Sequence, residues 1–221
     1  PVVVAPHGLS LGGACELSLP ADKVIPAAES YIGLVELGVG LIPGGGGTKE
    51  FALRAGDELH EDEPETITLK NRFFSIATAK VATSAQEAFT MGILRKGHDE
   101  VVMNMGRRIA EAKKSVIEMY DEGYAIPVQR KDVKVMGRLG LGAMYAGINQ
   151  MWRGNYATDH DALVARKLAY VMCGGDLSEQ SLVSEQYLLD LEREAFLSLC
   201  GEKKTLERIQ SVLKSGRPVR N

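Results

Sequence analysis

The chain has 221 residues, a length that allows one large domain or two small ones. Hydrophobic residues make up 45% of it and charged residues 25%, which is ordinary for a globular protein. A net charge of −3 and an aromatic content of 6% argue against binding to nucleic acid or to an anionic membrane. No run of about 18 apolar residues occurs, so the sequence predicts no membrane span.

The first predicted element is a strand at residues 2–5, and a loop at 7–11 leads from it into Gly12-Gly13 and a short helix. Pro20 ends this helix because proline cannot donate a hydrogen bond inside one. Two more strand patterns follow at 22–26 and 30–34, so the first quarter of the chain predicts mixed α/β layering. Since the chain starts at Pro1, inside a predicted central strand, we expect it to be a fragment of a longer protein.

From residue 48 onwards the patterns are almost purely helical. Gly56 ends a predicted helix at 48–55, and an acidic, proline-containing segment at 57–65 predicts an exposed loop or linker. Ser84 and Glu87 predict a capping box, while Ile93-Leu94 predicts at most an edge strand. The other helical patterns lie at 64–76, 84–91, 100–122, 139–152, 159–173, 184–200 and 202–214. We expect two domains, residues 1–95 and 96–221.

Cysteine and histidine usage argues against disulfides and metal. Cys15, Cys173 and Cys200 are odd in number and widely spaced, which is typical of buried, reduced thiols in a cytoplasmic protein. The four histidines share no ligand spacing with each other or with the cysteines. The sequence therefore predicts a cytoplasmic protein without a metal site.

Candidate chemistry concentrates near the N-terminus. Gly12 and Gly13 let a substrate approach the free amides at a helix start, although a tight turn that needs a positive φ explains the same pair. Glu16 follows one turn into that helix, and Glu36 sits in a second glycine-flanked turn. Both carboxylates have mainly apolar neighbours, a setting in which a carboxylate usually has a task or a partner. The pattern predicts an acid/base pair beside an oxyanion-binding amide; a solvated carboxylate at a helix dipole is the alternative.

Other motifs are weaker. The four-glycine loop at 43–49 has Thr48 before Lys49, whereas a phosphate-binding loop needs Gly-Lys-Ser/Thr. Residues 140–145 match only the first half of a dinucleotide fingerprint, so a helix-packing seam explains them better. The basic cluster at 130–134 is more typical of a solvated face than of an anion site. We therefore expect no cofactor site in this chain.

Two segments carry a family resemblance: LGGACELSLPAD at 11–22 and GLVELGVGLIPGGGGTK at 33–49. Together they resemble the signature of the crotonase (enoyl-CoA hydratase/isomerase) family, with the two glutamates correctly separated. SAQEAFTMGIL at 84–94 is similar to a later segment of the family. Residues 185–221 resemble the C-terminus of large bifunctional β-oxidation proteins, which carry a 3-hydroxyacyl-CoA dehydrogenase part before the crotonase part. The resemblance implies a partial ββα superhelix up to about Gly56, followed by a mainly helical region.

The resemblance also implies roles for residues. The N–H of Gly13 would bind the thioester oxygen, with Gly12 beside it, and Glu16 and Glu36 would be the catalytic carboxylates. Three departures matter: Ala14 replaces the usual third glycine, the insertion at 57–79 is long, and the first half of the domain is absent. That half would supply the second oxyanion amide and much of the surface that binds CoA.

Two glutamates favour a hydratase over an isomerase, because isomerases of this family can work with one base, at the position of Glu36. The resemblance implies an acyl-CoA substrate, missing N-terminal domains on the same chain, NAD for the dehydrogenase part, and a homo-oligomer or a thiolase partner. A contrasting hypothesis is that these 221 residues are by themselves a catalytically silent assembly fragment, with apolar surface exposed near residues 2–5.

Overall fold

The computed structural model describes residues 1–58 and 65–221, so most of the acidic segment predicted at 57–65 lies outside the described residues. Packing divides the chain into two compact units. The first contains residues 1–34 and 80–128, and the second contains 35–79 and 129–221. The predicted boundary after residue 95 falls within the first unit; as a statement about domains it stays a prediction.

The first unit is built around two short parallel ladders. Its strands are β1 (Val3–Val4), β2 (Leu9–Leu11), β3 (Lys23–Val24) and β4 (Tyr31–Gly33), and helix α1 (Gly13–Ser18) lies between β2 and β3. Strand β1 pairs with β3, and β2 pairs with β4. Parallel neighbours need a crossover connection, and both crossovers contain α1. The predicted strands and the helix before Pro20 are confirmed, but Val2 is exposed and β1 is only half-buried.

Helices α4 (Ala85–Thr90) and α5 (Arg108–Asp121) complete this unit, with a 3-10 turn at Met105–Arg107. The prediction of a helix from residue 100 is wrong at its start. Val102 donates its N–H to the Pro26 carbonyl over 2.9 Å and accepts from the Ala28 amide over 3.1 Å. These bonds keep the segment before the 3-10 turn extended.

The predicted capping box of α4 is only half realised. Ser84 Oγ accepts from the Glu87 amide over 3.1 Å, but the Glu87 carboxylate accepts from the amide and hydroxyl of Thr83, one residue earlier. Ile93 and Leu94 are buried in a turn and form no strand.

The second unit is mainly helical. Its helices are α2 (Gly47–Asp57), α3 (Glu65–Ala77), α6 (Gly137–Arg153), α7 (Asp159–Met172), α8 (Glu185–Cys200) and α9 (Lys203–Ser215). Each lies close to a predicted helix, because the helical patterns are long and carry clear end signals. Helix α2, however, continues through Gly56; the carbonyl of Lys134 lies 3.1 Å from where a Gly56 Cβ would be, so that glycine serves close packing.

One ladder in this unit is an element that the sequence analysis does not predict. Strands β5 (Val133–Val135) and β6 (Ser181–Val183) pair antiparallel, with Val133 opposite Val183. Val133 and Val135 are buried, and β5 packs on α2. Three-residue strands this far apart in sequence leave no periodic pattern, since their pairing is decided by tertiary contacts.

Candidate active site

Gly12 is the turn residue that the sequence analysis describes. It precedes α1 at φ 58° and ψ −125°, a backbone conformation that glycine adopts and residues with a Cβ avoid. Its N–H donates to the Gly33 carbonyl of β4 over 2.9 Å, and the residue is buried. The turn explanation therefore holds for Gly12.

Gly13 differs from its neighbour. It is exposed, its φ is not positive, and no atom lies within 4 Å of the place where its Cβ would be. The first N–H groups of a helix have no partner within the helix. Neither the turn nor packing explains the absence of a side chain at Gly13, whose backbone faces open space.

Glu16 comes from the same helix end and is nevertheless buried, with 9% of the residue exposed. Its N–H donates to the Gly12 carbonyl over 3.0 Å, which places it one turn into α1. Cys15 and Leu19 are buried as well, whereas Leu17 is exposed. Helix α1 therefore turns the Glu16 carboxylate inward, which argues against the alternative of a solvated residue.

Glu36 begins a 3-10 turn in the second unit. This turn, Glu36–Val39, ends at Gly40, whose φ is 80°; the turn and Gly40 are called the Glu36 turn below. The Leu41 amide donates to the Glu36 carbonyl over 3.1 Å. The Glu36 side chain is half-buried, and its Oε2 is shielded from solvent.

The structure thus brings Gly12, Gly13 and Glu16 together at the start of α1, in the first unit, and places Glu36 in the second. The catalytic roles of these residues stay predictions.

Sequence reasoning missed the side chains that hold the Glu36 turn. Thr205, fully buried on α9, donates its hydroxyl to the Gly40 carbonyl over 2.8 Å. The Nε2 atom of buried His160, in the first turn of α7, lies 2.8 Å from the same hydroxyl oxygen. Since the only hydroxyl hydrogen of Thr205 goes to Gly40, His160 donates to Thr205 through Nε2–H.

Arg208 makes the second attachment. It is 3% exposed, and its Nη1 reaches the Leu37 carbonyl at 3.4 Å and Asp161 Oδ1 at 2.7 Å. Its Nε donates to Asn221 Oδ1 over 2.9 Å. Thr205 and Arg208 are three residues apart and therefore lie on one face of α9. No motif in the sequence indicates this pairing.

His160 makes stability depend on pH. Burial lowers the pKa of its imidazole; the charges of Arg208 and Lys204 lower it further, against the opposing effect of Glu202 and Asp161. A pKa that is lower in the folded state means that the unfolded chain binds the proton more readily. We expect the free energy of unfolding to fall as the pH drops below about 6.5, the ordinary histidine value.

The measurement is hydrogen exchange of α7 and α9 in the second unit, between about pH 7 and pH 5. The carboxylates with lowered pKa values, such as Asp161, lose their contribution only below about 4.5, so they do not titrate in this window. His160→Gln should flatten the dependence, and a variant as steep as the wild type would contradict the assignment.

The backbone amides of the glycine loop at 43–49 bind a carboxylate of the protein itself, that of Glu192. Glu192, buried on α8, accepts from the Gly46 amide over 2.7 Å and from the Lys49 amide over 2.9 Å. Phe196 packs where a Gly44 Cβ would be, 2.5 Å from the ring. The loop therefore caps α2 and packs on α8, which agrees with the rejection of a phosphate-binding loop.

Residues 140–145 lie within α6, and a Cβ on Gly140 would come within 2.9 Å of Cys173 Sγ. This is the predicted helix-packing seam. In the basic cluster, Arg130 pairs with Asp57 at 2.7 Å and with Asp132 at 2.9 Å, so Arg130 is engaged within the protein.

Cys15 and Cys173 are buried cysteines, and Cys200 is half-buried. Burial raises the pKa of the Cys173 thiol to about 12, which makes it unreactive. Within 1–58 and 65–221, no three His, Cys, Asp or Glu side chains group in a way that could hold a metal ion. Of the helices in those ranges, none combines the length and apolarity needed to cross a membrane.

Comparison with known proteins agrees with the family resemblance. No protein-family model matches the chain. A Bacillus subtilis protein named probable 3-hydroxyacyl-CoA dehydrogenase is 46% identical over all of this chain, which spans 27% of that relative. A crotonyl-CoA hydratase of Syntrophomonas wolfei is 32% identical over 43% of this chain and 32% of its own length. The chain thus spans about a quarter to a third of these curated relatives.

Among solved structures, the carnitinyl-CoA hydratase of Mycobacterium avium superposes with a TM-score of 0.54 at 19% identity. The match covers 99% of this chain and 62% of that one. Because the identity is only 19%, the match shows a shared fold and nothing more. The predicted α/β fold with a helical C-terminal region is confirmed. Its sequence similarity to the hydratase and its fold together support the crotonase (enoyl-CoA hydratase) superfamily for this chain. It corresponds to about a quarter of its Bacillus subtilis relative.

Proposed function

We propose that the whole protein hydrates 2-enoyl-CoA thioesters in fatty-acid β-oxidation, and that this chain supplies Gly13, Glu16 and Glu36 to the reaction. One observation carries the proposal. The exposed backbone of Gly13 faces open space at a helix start, and the buried carboxylate of Glu16 follows three residues later. An exposed glycine whose N–H has no partner within the helix, next to a buried acid, suits a thioester whose oxygen gains negative charge while a proton moves nearby.

The reaction adds the elements of water across the double bond. One of the two glutamates takes a proton from water, and the water oxygen forms a bond to C3 of the enoyl group. The π electrons move towards the thioester oxygen, where the Gly13 N–H stabilises the charge; one such donor contributes about 3 kcal/mol. The other glutamate, which enters the reaction protonated, then delivers its proton to C2, so that the C2–H bond forms, the carbonyl is restored and this carboxyl group is left ionised.

The name of one relative supports a second enzymatic part on the same protein. The Bacillus subtilis relative is named as a 3-hydroxyacyl-CoA dehydrogenase, and the 3-hydroxyacyl product of hydration is the substrate that such an enzyme oxidises. We extend the proposal to a dehydrogenase part on the same protein. NAD would bind that dehydrogenase part. In this chain, the residues that partly match a dinucleotide fingerprint, 140–145, lie inside helix α6 and do not fit a dinucleotide site. The odd number and wide spacing of the three cysteines support a cytoplasmic location.

The test is an assay of the full-length protein with crotonyl-CoA, in which hydration removes the absorbance of the conjugated enoyl thioester. We expect 3-hydroxybutyryl-CoA as the product. A 3-enoyl-CoA converted faster than the 2-enoyl ester would favour the isomerase alternative. If neither ester reacts, the proposal is wrong.

The same assay addresses the isolated 221 residues. We expect them to be inactive, because the resemblance assigns the second oxyanion amide to the half of the domain that they lack. Hydration by the isolated chain would show that this residue set is sufficient.

A further inference from the structure

The Glu36 turn carries one of the proposed catalytic groups on very little secondary structure. It is a single 3-10 turn, in which the Gly40 amide donates to the Leu37 carbonyl over 3.1 Å; the Leu41 amide, just after the turn, donates to the Glu36 carbonyl over 3.1 Å. A turn of this length cannot fix a side chain by itself, because the first hydrogen bonds of a helix barely offset the conformational entropy that they cost. Its geometry must come from what surrounds it.

Helix α9 provides that support through two backbone carbonyls. Thr205 donates to the Gly40 carbonyl at 2.8 Å, at the end of the turn, and Arg208 reaches the Leu37 carbonyl at 3.4 Å, inside it. Both side chains are buried. Attachments at two points restrict both the position and the rotation of the turn.

Two side chains in the first turn of α7 contact Thr205 and Arg208, the residues that make these attachments. His160 donates to the Thr205 hydroxyl at 2.8 Å, and Asp161 pairs with Arg208 at 2.7 Å. A Cβ on Gly40 would come within 2.9 Å of both His160 Nε2 and Thr205 Oγ1, so this arrangement fits only against bare backbone. The turn is thus fixed to two helices at once.

We propose that Thr205 and Arg208 are positioning residues that hold the Glu36 carboxylate in place for the reaction through the backbone of its turn. The inference rests on the proposed function. Both residues act on carbonyls rather than on substrate, so their loss should reduce turnover more than substrate binding. A displacement of about 1 Å at a reacting group can cost about a hundredfold in rate.

The test uses the full-length protein with Thr205→Val, which keeps the branched shape and loses the hydroxyl. We expect kcat for crotonyl-CoA to fall about ten- to a hundredfold, with KM nearly unchanged. Thr205→Ser keeps the hydroxyl and should restore most of kcat. Should the valine variant fail to fold, Thr205→Ala, which adds no atoms beside Gly40, carries the same expectation.

Thr48→Val is the matched control. Thr48 is equally buried in α2 and also donates to a backbone carbonyl, that of Pro43, over 3.1 Å. It should lose similar stability and keep kcat. Wild-type kcat in Thr205→Val, or an equal loss in Thr48→Val, would overturn the inference.

Hydrogen exchange of residues 36–41 separates this inference from the proposed function. Thr205→Val should exchange there about tenfold faster than the wild type, while Thr48→Val should not. If the wild-type protein hydrates no enoyl-CoA, the proposed function is wrong. The exchange rates of residues 36–41 still test whether Thr205 holds the Glu36 turn. Unchanged exchange overturns the attachment, whatever the activity.

Discussion

Glu16→Gln and Glu36→Gln are each expected to lower kcat for crotonyl-CoA hydration by about 10²–10⁴-fold in the full-length protein. Glutamine keeps the size of the side chain and its hydrogen-bonding capacity but neither takes nor delivers a proton at neutral pH. KM should change little, because the proposed function assigns the thioester oxygen to the Gly13 amide, which both variants keep. Steady-state kinetics with crotonyl-CoA measures the effect.

Glu118→Gln is the control, since Glu118 lies exposed on α5 and pairs only loosely with Lys114, at 3.4 Å. It should react at the wild-type rate. The double variant Glu16→Gln/Glu36→Gln should be little worse than either single one if the carboxylates act as a unit. Undiminished turnover in both single variants would contradict the assignment of the pair.

The comparison of the two variants also separates the two reactions. The family resemblance implies that a hydratase uses both carboxylates, whereas an isomerase can work with one base at the position of Glu36. Loss of hydration in Glu16→Gln together with intact isomerisation of a 3-enoyl-CoA would assign the two activities to different residues.

Glu192→Ala is expected to lower the free energy of unfolding of the second unit by about 3–5 kcal/mol. The buried carboxylate accepts from the Gly46 and Lys49 amides at the start of α2. Alanine leaves both donors without this acceptor, in a place that water does not replace easily, and removes a negative charge from a helix N-terminus. Hydrogen exchange of the slowest α2 and α8 peptides reports the change.

Glu192→Gln should cost about 1–2 kcal/mol, because one oxygen still accepts while the charge is lost. Glu194→Ala, at an exposed position on the same helix, should stay within about 0.5 kcal/mol of the wild type. Equal losses in Glu192→Ala and Glu194→Ala would show that the carboxylate does not stabilise α2.

Much of the fold could be predicted because its signals are local. The four helices α6–α9 have long apolar patterns and clear ends, such as Thr158 before α7 and Gly216 after α9. The start of α1 could be predicted for the same reason, since Gly12, Gly13 and Glu16 lie within one turn of each other. A signal contained in a few neighbouring residues survives without any tertiary contact.

The errors have the opposite cause. The extended segment at Val102 depends on Pro26 and Ala28, and β5 depends on β6, so neither is visible in a local window. The reciprocal partner of Glu87 proved to be Thr83 rather than Ser84, which a spacing rule cannot distinguish. In each case the tertiary structure decided which partner a backbone group bonds, and the local sequence does not distinguish between the candidates.

The sequence by itself therefore predicted most of the helical elements, the family resemblance and three candidate residues for the chemistry: Gly13, Glu16 and Glu36. Only the tertiary structure showed that Gly12 makes the turn while Gly13 stays open, that Glu192 supplies the anion of the glycine loop, and that α9 holds the Glu36 turn. The physical reason is that buried polar groups must find partners, and these partners lie as far as 171 residues away, as for Arg208 and Leu37.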